Sequence, residues 1–164
     1  MKSILKAYWD SNLPIYSISQ SELQKNGINS LLLDVDGTLV NRKSNMIPEA
    51  VKNWIIESKK LFSLYLISNN PSKKRIAKLA KELNLRYKYN ASKPRKKATL
   101  AAINEIGSDP KNIAIIGDRI FTDILVGNKC NIKTILVKRL KRDGLPIKFN
   151  LILIIEKLIA QFII

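Results

Sequence analysis

Histidine is absent from this 164-residue chain. The commonest general base and the commonest metal-ligating side chain are therefore both missing, so a Ser-His-Asp hydrolase and a zinc-type site are excluded. Cysteine occurs once, as Cys130, and no internal disulfide can form; a reducing, cytoplasmic setting is the expectation, with peripheral attachment to a membrane still open. Acidic side chains are scarce, 13 against 29 Lys and Arg, for a formal net charge of +16. Any catalysis must rest on those few carboxylates, on Lys, on Ser or Thr, or on a hard metal ion. The segment Met1–Asp10 lacks an apolar run of signal-peptide length. No internal repeat, low-complexity tract or linker breaks the chain.

What is present supports one core. With 46% hydrophobic residues the length suits a single domain over residues 1–164. The positive charge is clustered: Lys73 to Lys97 holds eleven Lys and Arg against one acid, Glu82. Such a patch raises the local concentration of anions, which leaves an anionic membrane surface, nucleic acid and phosphorylated metabolites as candidate partners. A composition rich in Lys, Ile and Asn also places charge on every solvated face, so charge alone does not choose among them.

Hydrophobic patterning gives strands alternating with helices. Ser30–Val35 is a continuously apolar strand of the kind buried on both faces of a parallel sheet. Pro48–Lys60 follows as a helix with Val51, Trp54, Ile55 and Ser58 on one side, then a strand at Phe62–Ile67 and a basic helix capped by Asn70-Pro71. That helix carries an apolar stripe of Ile76, Leu79, Ala80 and Leu83. A short strand at Arg86–Tyr89, a helix at Arg95–Ile106, a strand at Asn112–Ile116, a helix near Phe121–Lys129 and a strand at Lys133–Val137 complete the series. The expected fold class is α/β, a doubly wound parallel sheet in three layers. The last stretch, with eleven apolar residues among the fourteen of Leu151–Ile164, is too short to span a bilayer. Residues 145–164 are expected to form an apolar C-terminal helix that packs on the sheet, joins two copies or lies on a membrane surface.

Ligands in such sheets bind at the carboxyl ends of the strands, and polar residues collect there. Asp34 and Asp36 end the first strand, Ser68 and Asn69 the second, and Asp118 the one beginning at Asn112. Carboxylates gathered from separate strands need a counter-ion, and oxygen ligands without His or Cys suit Mg²⁺ held together with a substrate phosphate. Lys93, Ser68 and backbone amides beyond Asp34 can surround a phosphoryl group. A calcium loop starting at Asp34 is disfavoured, because Leu39 and Asn45 stand where its glycine and glutamate belong.

Asp34-Val-Asp36-Gly37-Thr38, Ser68, Lys93-Pro94 and Gly117-Asp118 through Thr122-Asp123 resemble, in order, the four motifs of the haloacid dehalogenase (HAD) phosphohydrolases, over about Leu13 to Lys138. The resemblance implies a Rossmann-like HAD fold in which Asp34 is the nucleophile and Asp36 the general acid and base. It also implies Mg²⁺ at Asp34, Asp36 (through its main-chain carbonyl), Asp118 and Asp123, with Thr38, Ser68, Asn69 and Lys93 binding phosphate. The intervals of 31 residues between Asp36 and Ser68 and 24 between Ser68 and Lys93 leave no room for a cap domain.

Flanking residues narrow the resemblance. Leu13-Pro-Ile-Tyr-Ser-Ile-Ser, Lys93-Pro-Arg-Lys-Lys and Thr134-Ile-Leu-Val137 are similar to the capless YqeG-like branch of subfamily IIIA, which is related to phosphatidylglycerophosphate phosphatases; Gly37, Arg119 and Cys130 depart from its usual Asn, Gln and Gly. The expected reaction is hydrolysis of phosphatidylglycerophosphate to phosphatidylglycerol and phosphate. Two alternatives remain: a capless phosphatase acting on nucleic-acid ends or a small phosphorylated metabolite, and a non-catalytic basic protein that binds nucleic acid or membrane. Oligomeric state is not legible.

Overall fold

A computed structural model describes residues 4–162. One six-stranded sheet, parallel throughout, runs in the order β1-β6-β5-β2-β3-β4. Its strands are β1 (Trp9–Asp10), β2 (Ser30–Leu33), β3 (Ser63–Ile67), β4 (Arg86–Lys88), β5 (Ile113–Gly117) and β6 (Lys133–Leu136). The helices are α1 (Gln20–Lys25), α2 (Glu49–Lys59), α3 (Lys73–Leu83), α4 (Lys96–Ile106), α5 (Leu125–Lys129) and α6 (Leu151–Phe162). The doubly wound α/β class expected from the patterning is the one observed.

Side-chain alternation divides the apolar strands between two cores. Leu31 and Leu33 of β2, Leu64 and Leu66 of β3, and Ala114 and Ile116 of β5 meet the buried stripes of α2 and α3 on one face. Leu32, Tyr65, Ile67, Ile113 and Ile115 face the other way, against Ala102 and Ile103 of α4 and Val126 of α5. A third cluster joins Ile120, Ile124, Leu5 and Leu136 to Leu153 and Ala160 of α6. β2 pairs with β3 on one side and β5 on the other, so the strand order reverses beside it and a crevice opens at its carboxyl end.

Several boundaries differ from expectation, each for a local reason. The cap of α3 is Ser72, whose hydroxyl accepts from Arg75 N at 3.3 Å, while Asn70 is drawn toward the crevice. Pro48 precedes α2 instead of occupying its first turn. The helix expected near Phe121–Lys129 begins as a π-helical turn, Ile120–Ile124, and becomes regular only in α5. The C-terminal helix starts at Leu151, not at 145, because Asp143 and Gly144 (φ +81°) turn the chain and Leu140 pairs antiparallel with Pro146. Residues 163–164 lie outside the described part. Neither 37–67 nor 69–92 holds anything beyond loop, one helix and one strand, so no cap folds over the crevice.

Candidate active site

β2 delivers Asp34 directly: its N–H donates to Ile116 O at 3.0 Å, continuing the sheet by one residue before the chain leaves it. Gly37 then turns at φ +100°, and a Cβ there would lie 2.7 Å from Asp118 Oδ2, so the turn has room only for glycine. Thr38, fully buried, reaches back to donate to Asp34 Oδ2 at 3.0 Å.

Lys93 is the hub. It is buried at the end of the β4–α4 connection, and its ammonium donates to Asp34 Oδ1 (2.7 Å), Asp123 Oδ1 (2.6 Å) and Ile67 O (3.1 Å). Asn69 fastens the same residue by its backbone, accepting from Lys93 N at 2.7 Å and donating to Lys93 O at 2.9 Å. The Asn69 amide is thus engaged in positioning Lys93. Ser68, buried at the end of β3, accepts at Oγ from Asn70 N at 3.1 Å.

Asp118 follows β5, and Asp123 returns to the same place because the π turn is wide. Arg119 N donates to Asp123 Oδ2 at 3.2 Å, and a Cβ on Gly117 would overlap the Asp123 side chain. One carboxylate oxygen from each of Asp34, Asp118 and Asp123 lies within 4.8 Å of the others, and all three residues are buried. Burial, then the charges of Asp34 and Asp123, push Asp118 up to about 7 against the opposing Arg139. Asp123 is pushed up to about 6, since burial and the charge of Asp34 outweigh Lys93 and the Arg119 amide. For Lys93, burial opposes the charge, but the two carboxylates it touches prevail and hold its pKa above the ordinary lysine value. Three carboxylates against two cations, Lys93 and Arg139, leave excess negative charge and an all-oxygen donor set, a setting that fits a hard divalent cation.

Asp36 stands at the mouth, outside this triad. Its Oδ2 accepts from Asn70 Nδ2 at 2.9 Å, and Arg75 Nη1 lies 2.7 Å from Oδ1 with no N–H aligned on it. Arg75 also ties the loop after β2 to α3, donating to Ser44 O at 2.9 Å and Asn45 Oδ1 at 3.0 Å. Arg139, which donates to Asp118 Oδ2 at 2.5 Å, Arg75 and Asn70 escape a sequence reading. Arg139 and Arg75 are two among 29 basic residues, and only the fold brings them to the carboxylates.

Comparison with known proteins places this arrangement. A family model described as HAD-hydrolase-like matches residues 90–144, the span that contains Lys93, Asp118, Asp123 and Arg139. The probable phosphatase YqeG of Bacillus subtilis (strain 168) is 29% identical over 138 residues, 83% of this chain and 80% of that protein. Both matches are to HAD-like hydrolases and phosphatases, which the chain resembles in sequence. Among solved structures, the chain shares its fold with an uncharacterized protein from Listeria monocytogenes serotype 4b (TM-score 0.57, 15% identity, covering 76% of this chain and 84% of that one). It likewise resembles 3-deoxy-D-manno-octulosonate 8-phosphate phosphatase from Yersinia pestis (TM-score 0.52, 17% identity, covering 79% and 72%).

Proposed function

We propose that the chain is a Mg²⁺-dependent phosphomonoesterase that works through an aspartyl-phosphate on Asp34. The observation that carries this reading is Asp34 at the switch point, its carboxylate shared between Lys93 and Thr38, with Asp118 and Asp123 alongside. Asp34 attacks phosphorus, the ester P–O bond breaks, and the departing oxygen takes a proton from Asp36. Asp36 then takes a proton from water as that water attacks phosphorus, releasing inorganic phosphate and the Asp34 carboxylate. Ser68 stabilises the phosphoryl oxygens together with Lys93, which gives up one of its three internal hydrogen bonds to do so, and Asn69 serves by holding Lys93. The Asp34 and Asp118 carboxylates and the Asp36 main-chain carbonyl would hold Mg²⁺, Asp123 supporting them; when bound, the ion offsets the excess negative charge and polarises the phosphoryl oxygens.

Phosphatidylglycerophosphate is the substrate we favour. The uncapped crevice and the basic surface over Lys73–Lys97 support a phosphate presented on something larger than the crevice, and the likeness to the probable phosphatase YqeG supports phosphate release as the reaction. Phosphate release by the purified protein with Mg²⁺ tests it, using this lipid, sugar phosphates, a 3′-phosphorylated oligonucleotide and a generic aryl phosphate in parallel. The lipid should be turned over best. Hydrolysis of the aryl phosphate with the lipid untouched would remove the lipid assignment and leave the chemistry standing.

A further inference from the structure

Helix α6 is amphipathic in the reverse of the usual sense. Its one acid, Glu156, is 3% exposed and points into the protein, accepting from Arg119 Nε at 3.1 Å, Arg119 Nη2 at 2.9 Å and Ile120 N at 2.9 Å. Leu153 and Ala160 pack beside it, and Lys157 pairs with Asp10 at 2.6 Å. Beside Glu156 and around to the far side, the helix exposes Leu151, Ile152, Ile155, Leu158, Ile159 and Phe162, the last 87% exposed. Spaced at three and four residues, they form one continuous apolar stripe.

We propose that this stripe is a docking surface for an anionic lipid bilayer, on which α6 lies in the interfacial plane. No helix among the described residues is long and apolar enough to cross a membrane, which leaves lying on the surface as the mode of contact. Charge selects the occupant. The hairpin leading into α6 exposes Lys141, Arg142 and Lys148 next to exposed Leu145 and Phe149, with Asp143 its one acid. Basic side chains beside apolar ones match the headgroup and acyl layers of an anionic leaflet. A second copy seated on the stripe would instead bring two chains of net charge +16 and their hairpins together. The surface is also coupled to the catalytic segment: Arg119, held by Glu156, adjoins Asp118, and Arg139, which binds Asp118, opens the hairpin. This inference stands whichever phosphate ester is the substrate.

Co-sedimentation of the full chain tests it, with vesicles of phosphatidylcholine alone and of phosphatidylcholine mixed with phosphatidylglycerol. The chain should pellet with the mixed vesicles and be released by salt. The outward-facing double variant I155D/L158D should bind at least about tenfold more weakly while hydrolysing a soluble aryl phosphate at the parental rate. K141E/R142E should lose binding at physiological salt. Because the replaced side chains are exposed, both variants should keep the parental circular dichroism. An unmodified chain left in the supernatant, undiminished binding by I155D/L158D, or a dimer that I155D/L158D dissolves would overturn the proposal.

Discussion

Lys93 commits all three ammonium donors inside the protein, two of them to carboxylates that would otherwise repel each other. Lys93→Ala therefore leaves Asp34 and Asp123 buried without their shared cation and should cost about 3–5 kcal/mol, read by urea unfolding in chelator; a loss below about 1 kcal/mol would mean that the triad is neutralised in another way. The same triad predicts a pH dependence. Asp118 and Asp123 have folded-state pKa values of about 7 and 6, above the carboxylate value of 3.8. The folded protein thus holds these protons more tightly than the unfolded chain does, so their contribution is fully present below that lower value and is lost as pH rises through 6 and 7. In chelator, Tm should fall across this window, and Mg²⁺ should flatten the fall because it requires the ionised carboxylates. No histidine is present to titrate in this window; a flat profile in chelator would contradict the buried-triad account. At Asp36, Arg75→Ala removes the ion pair at the crevice mouth and the tie to the 44–45 loop. With Asp36, the proposed general acid, then held by Asn70 alone, we expect kcat to fall about tenfold; Arg75→Lys should restore part of the rate, and an unchanged kcat would show that Arg75 does not position Asp36.

At the scale of elements, what the sequence disclosed was what its periods encode. β2 was legible because three consecutive leucines, Leu31–Leu33, are buried on both faces, and α3 because Ile76, Leu79, Ala80 and Leu83 recur at helical spacing. Elements too short to show a period were not: β1 has two residues and α1 six, although Ser19 and Glu22 carry a capping signature that could have marked α1. The acids were legible as strand ends, whereas the π turn was not, because nothing local requires it. What requires it is Asp123, which must pass close to Gly117 to reach Lys93. Gly117→Ala should therefore displace Asp123, cost about 1–3 kcal/mol in thermal unfolding and reduce phosphate release. A variant of parental stability and activity would mean that the turn tolerates another path.

On the scale of the whole molecule, the parallel sheet gathers residues from five connections at one edge and leaves that edge uncapped. The chain carries a net charge of +16, and α6 turns its apolar side outward. Sequence alone left the C-terminal stretch open among three uses, because hydrophobicity does not say which face is covered. The inward Glu156 decides the orientation of the helix. The architecture as a whole rests on one chemical claim, that Asp34 is the residue phosphorylated in turnover. The most direct test is the rate of phosphate release by Asp34→Asn, with Mg²⁺ and an aryl phosphate, in a protein whose circular dichroism matches the parent. The account predicts a loss on the order of 10³-fold or more. Retained turnover in the folded variant would contradict it.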